Sequence, residues 1–131
     1  MNFTQLRSTE RARPFVAVVC AVPLLGEAVR SALEFADVQT FSAHGGDLDG
    51  LLEWLRPDVL IVDDDRVAEQ ARGFAVDHEL PVLHVGVRDH VLRLYRAGAW
   101  ETVDEHEDGP SAEGVRNVVA GALFAGAGAG T

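Results

Sequence analysis

Residues 57–65, Pro-Asp-Val-Leu-Ile-Val-Asp-Asp-Asp, decide how the rest of the chain is read. Four consecutive aliphatic residues, entered through a proline and left through three carboxylates, describe a strand buried on both faces that ends abruptly at water. Such a strand needs helices on both sides of its sheet, and the flanking sequence is read for them.

Toward the N-terminus, FVAVVCA (15–21) has the same continuous apolar character. Pro23 follows at the first turn of a helix whose apolar side carries Leu24, Leu25, Ala28, Val29 and Leu33. VQTFSA (38–43) reads as a weaker strand and HGG (44–46) as a turn. DLDGLLEWLR (47–56) reads as a short helix with Leu48, Leu51, Leu52 and Leu55 on one side and Asp47 as its N-cap. Toward the C-terminus, a helix from about Val67 to Val76 precedes a fourth strand, PVLHVGV (81–87). HVLRLYRAGA (90–99) reads as a fourth helix closed by Gly98, ETV (101–103) as a short fifth strand, and Ser111 as the cap of a last helix carrying Val115, Val118, Val119, Leu123 and Phe124. Five strands alternating with five helices predict a doubly wound parallel α/β sheet in one domain over 15–125. A flexible arm (1–14) and a flexible Ala/Gly tail (126–131) flank it.

At 131 residues the chain has room for one core and for no second folded output module. A formal net charge of −10 argues against a grip on nucleic acid. All 11 basic residues are Arg and none is Lys, which excludes a lysine Schiff base, a lysine general base and a phosphate-binding ammonium. The single cysteine, Cys20, excludes an internal disulfide and a multi-cysteine metal site, and suits a reducing, cytoplasmic compartment. Arg7, Arg11 and Arg13 ahead of FVAVVCAVPLLG superficially copy a secretory signal. Glu10 among the arginines, the lack of a small-residue cleavage pattern and the shortness of the run identify a strand entering a helix, with no membrane insertion.

PDVLIVDDD resembles the phosphoacceptor strand of two-component response-regulator receiver domains, and PVLHVGVRD followed by AGA resembles their fourth strand and the segment after it. The resemblance covers roughly 15–125 and implies a flavodoxin-like, five-stranded parallel sheet of order 2-1-3-4-5 with helices on both faces. It places Asp63 at the phosphorylated aspartate. The other family positions are replaced. Cys20 and Ala21 stand where two acidic residues would hold Mg²⁺, and neither thiol nor methyl suits a hard cation. Gly86 stands at the hydroxyl position, Glu105 at the lysine and Thr102 at the switch aromatic. The resemblance is therefore to a degenerate, stand-alone pseudo-receiver with no catalytic residue, metal or cofactor.

The acidic crevice of Asp63, Asp64 and Asp65 has a plainer reading, a solvated turn with a helix N-cap, and mutual repulsion leads us to expect Asp63→Asn to keep or slightly raise stability. Likewise His84 reads first as a satisfied core residue, and Cys20 as a small buried hydrophobe before a redox handle. The run ETVDEHED, with Glu101, Asp104, Glu105, Glu107 and Asp108, reads first as a solvated loop. The expected function is a phosphorylation-independent interaction or regulatory module, an adaptor or an accessory subunit of a larger assembly. By family analogy its protein partner, or a second copy, docks on the face formed by the fourth helix, fifth strand and fifth helix through Arg93, Tyr95, Arg96 and Trp100. Trp100 is the expected anchor, dispensable for folding. Two alternatives stand beside this: a still-phosphorylatable regulator with Asp63 as acceptor, and a small-ligand sensor using the vacated crevice. No nucleophile–base pair, phosphate-cradling glycine loop or nucleotide fingerprint supports an enzyme.

Overall fold

The computed structural model describes residues 13–43, 47–86, 91–96, 98–105 and 112–129, with main chain alone at 104–105 and 124–129. β1 (Phe15–Cys20), β3 (Val59–Val62) and β4 (Val82–Val85) are built almost wholly of aliphatic residues. They pair in parallel, with β2 (Asp37–Ser42) outside β1, in the order β2-β1-β3-β4. Parallel neighbours need long crossovers, and these crossovers supply the cover. α1 (Pro23–Ala32) lies on one face; α2 (Leu48–Leu55) and α3 (Asp65–His78) lie on the other. α4 (Ala112–Ala129) packs beside α1.

Alternation along β1 shows how one strand serves two cores. Phe15, Ala17 and Val19 join Leu52, Leu55, Phe74 and Leu80 under α2 and α3, whereas Val16 and Val18 join Val29, Leu33, Val115 and Val119 under α1 and α4. Asp47 caps α2 as the sequence indicates, accepting from the Gly50 N–H at 3.0 Å. Leu24, expected on the apolar side of α1, is instead 72% exposed.

The α/β class and the parallel order of the first four strands agree with the sequence reading, but the sheet has six strands and its last two are antiparallel. Residues read as a fourth helix form β5 (Val91–Arg96), which pairs antiparallel with β4 and then with β6 (Ala99–Glu105). The pattern of Val91, Leu92, Leu94 and Tyr95 fits a helical period, yet all four are buried because β5 lies inside the sheet with both faces covered. Gly98 does not close a helix; with φ +85° it turns the β5–β6 hairpin, a conformation open to glycine at little cost. The expected pure five-stranded parallel sheet is thereby corrected to three parallel and two antiparallel ladders.

Of the expected arm, Arg13 and Pro14 are tied down: Arg13 donates to the Glu34 and Ala36 carbonyls, and the Asp37 N–H donates to the Pro14 carbonyl. The helical main chain of α4 runs four residues into the expected tail. Residues 1–12 of the arm, the HGG turn, Glu107, Asp108, the Ser111 cap and residues 130–131 lie outside the described residues.

One close approach fixes α1 on the sheet. Gly26 is buried so tightly that a Cβ there would sit 2.7 Å from Thr40 Cγ2 and 3.3 Å from Thr40 Cβ. Gly26→Ala is expected to lower stability by about 1–3 kcal/mol through overpacking, despite alanine's better helix propensity. Thr40→Ala in the same chain should recover most of that loss. Chemical denaturation of the two variants checks this, and a stabilised Gly26→Ala protein would contradict the packing described.

Candidate functional site

The carboxyl ends of β1 and β3 meet where the strand order reverses, the place at which doubly wound sheets open a crevice. Asp63, the residue after β3, fills it. One carboxylate oxygen accepts the Ala21 N–H at 2.7 Å and the other accepts the Val22 N–H at 3.0 Å. Val22 is the N-cap of α1 and makes no side-chain cap of its own, while Pro23 brings no N–H. The Asp63 carboxylate therefore caps α1 from the neighbouring strand, where a negative charge also meets the positive end of the helix dipole.

The next two carboxylates serve other elements. Asp64 is the N-cap of α3 and accepts from the Arg66 and Val67 N–H groups at 2.9 and 3.1 Å. That part of the plainer reading, a helix N-cap, is borne out. Asp65 starts α3 and points outward, with an oxygen 3.1 Å from Nε2 of His84. His84 is 8% exposed, and Nε2 has no hydrogen-bond partner: the Asp65 oxygen is near but out of alignment. Three adjacent residues thus aim at three separate groups. Among the described residues no three His, Cys, Asp or Glu side chains are grouped to hold a metal ion.

Cys20 lies beside Asp63 at the end of β1, half-buried. Burial pushes its thiol above the ordinary cysteine range, the Asp63 charge pushes it further, and a hydrogen bond from the Gly26 main chain partly offsets both. A thiol held protonated is a poor nucleophile and a poor metal ligand. With Asp63 bonded to two amides and Asp64 to two more, the donor set does not fit the Mg²⁺ that receiver chemistry requires.

The remaining positions marked by the receiver resemblance are scattered. Gly86 follows β4 and its N–H donates to the Val91 carbonyl at 2.8 Å, tying the end of β4 to the start of β5. Thr102 is exposed on β6 opposite Arg93, and Glu105 ends β6 opposite Val91. Because β5 intervenes, both stand one strand farther from Asp63 than in a five-stranded parallel sheet.

The expected docking face is also rearranged. With no helix at 90–99, Arg93, Tyr95 and Arg96 lie on β5 and Trp100 on β6. Tyr95 is 4% exposed, so it belongs to the core. Trp100 is half-buried and meets Tyr95 and His84 edge-on, with ring centroids 5.2 and 6.1 Å away. Arg96, expected beside Trp100, alternates onto the opposite face of the sheet and pairs with Glu101 at 3.7 Å. Sequence reasoning missed the amides of Ala21 and Val22 as the partners of Asp63; a proline at the first turn of α1, after a residue that cannot cap, was the available signal.

No family model matches the sequence, and no curated protein matches it. A solved structure described as a heterocyclase in complex with substrate and cofactor aligns at a TM-score of 0.41 and 18% identity, covering 75% of this chain and 12% of the other. The chain thus spans about an eighth of that protein's length, and a likeness this loose carries no inference.

Two outcomes are expected. Asp63→Asn should cost about 1–2 kcal/mol, because an amide has one acceptor oxygen for two N–H donors and no charge. This reverses the expectation from like-charge crowding, and urea unfolding at neutral pH decides between them. Alkylation of Cys20 by iodoacetamide should reach its half-maximal rate at a higher pH than that of a free cysteine, and Asp63→Asn should move the profile back toward lower pH. A profile that coincides with free cysteine would remove the protonated thiol.

Proposed function

We propose that the chain is a phosphorylation-independent, receiver-like interaction module that works in the cytoplasm by binding a protein partner. The observation that carries this reading is the engagement of both Asp63 oxygens with the Ala21 and Val22 amides. An acceptor aspartate must present a free oxygen to a phosphoryl group beside a metal. Here the carboxylate is an internal fastening, and the residues where the family holds its metal are Cys20 and Ala21. The order β2-β1-β3-β4 and the aspartate at the end of β3 support descent from a receiver-like scaffold.

Trp100 does not suit the role of anchor, since it is packed against Tyr95 and His84. Trp54, on the outer side of α2, is 72% exposed and belongs to the residue type that most often dominates interfaces. It replaces Trp100 in this reading. Among the described residues no helix is long and apolar enough to cross a membrane.

Incubation with acetyl phosphate and millimolar Mg²⁺, followed by intact-mass measurement, should leave the protein unlabelled. One added phosphate on Asp63 would instead establish the phosphoacceptor alternative. In parallel, Trp54→Ala should keep the unfolding midpoint of the wild type and lose the partner recovered by affinity capture. Trp100→Ala should lose about 1–3 kcal/mol of stability from its packing. If Trp54→Ala retains the partner, the anchor lies elsewhere.

A further inference from the structure

α2 and α3 end side by side at the sheet edge opposite Asp63, and both end in the same uncommon way. Each C-cap is a non-glycine residue in the left-handed region: Arg56 at φ 50°, ψ 59° and Glu79 at φ 54°, ψ 36°. A proline follows within two residues, Pro57 or Pro81, and the chain enters β3 or β4. Between the two helix ends lies a cavity of about 280 Å³. Its floor is apolar, made by Leu52, Phe74 and Leu80, all buried. His78 stacks flat on Phe74, with centroids 3.9 Å apart and planes 3° from parallel, and its Nδ1 is 3.0 Å from the Phe74 carbonyl oxygen.

We infer that this cavity binds a small organic cation, an ammonium or amidinium carried on an apolar body. The charge around it decides the sign of the ligand. Glu53, Asp58 and Glu79 line the cavity with the Arg56 guanidinium and the His78 imidazole, and Asp58 already accepts the Phe15 N–H at 2.7 Å. Two helix C-termini add their partial negative charge at the same place; α2 has no basic residue in its last turn and carries Arg56 as its C-cap, and α3 has His78 in its last turn. The floor takes the apolar body by removing it from water, and the Phe74–His78 stack offers an aromatic wall to the positive group. An anion of the same shape meets three carboxylates and two carbonyl-rich helix ends, so the site discriminates by charge. This inference does not rest on the interaction reading: neither Trp54 nor Asp63 lines the cavity, although Trp54 stands next to Glu53 on α2.

Benzamidinium is a suitable probe, with benzamide as its neutral and benzoate as its anionic counterpart. Calorimetric titration of the full chain should show saturable binding of benzamidinium at millimolar concentration and none of the other two. Glu53→Gln with Glu79→Gln, both at exposed positions, should weaken binding by about tenfold or more while the unfolding midpoint holds. Salt at about 1 M should weaken binding to the unmutated protein as well, a readout that does not depend on any variant folding. Absence of saturable benzamidinium binding, equal binding of the three probes, or affinity indifferent to both salt and the double substitution overturns the inference.

Discussion

A strand that is apolar on both sides cannot stop at a hairpin, and in this protein β1 is such a strand. Val16, Ala17 and Val18 are wholly buried, and they alternate between two cores. Covering both sides requires helices on both sides, and joining parallel strands requires crossovers long enough to provide them. The three-layer form follows from that requirement. So does the gathering of the carboxyl ends of β1 and β3 at one edge, where Asp63 fastens them by capping α1 from across the gap.

How much of this could be read from the residues depends on how far the deciding contacts reach. Val59 to Val62 and Phe15 to Val19 carry their own signal, since a run of aliphatic residues is improbable anywhere but in a doubly covered strand, and the strand-helix alternation through β4 was legible for that reason. Residues 91–96 were not. Their apolar positions satisfy a helix and a doubly buried strand alike, and only the antiparallel pairing on β4 decides between them. Gly98 shortly ahead of Trp100 was the local clue. Reading that segment as a helix displaces the docking face, because a helix lets Tyr95 and Arg96 share a surface when a strand sends them to opposite sides. The cavity rim was less legible still: nothing in Arg56 or Glu79 announces a left-handed backbone, which arises when two helices must end at the same level to feed adjacent strands.

The three carboxylates after β3 show why residue type alone does not define a site. By composition they are a concentrated negative charge at the carboxyl end of a strand, where doubly wound sheets open a crevice. By geometry they part: Asp63 goes to the start of α1, Asp64 to the start of α3, and Asp65 points to solvent beside the imidazole of β4. Carboxylates that satisfy main-chain donors in different directions cannot also converge on one ion. Cys20 completes the change, since the same Asp63 charge that closes the crevice helps keep the thiol protonated.

Ending the sheet in a hairpin leaves β6 with one side of its backbone paired to β5 and, among the described residues, no strand on the other. An open edge of seven residues is a template for a second copy of the chain. Here it is guarded in two ways. The register shifts near Leu92 and Arg93, so the edge is not straight, and Glu101, paired with Arg96, and Glu105 place acidic residues along it. Two such edges meeting would bring like charges together in a molecule already carrying −10. The protection these carboxylates give the edge is electrostatic, so concentrated salt or acid weakens it while leaving the edge intact.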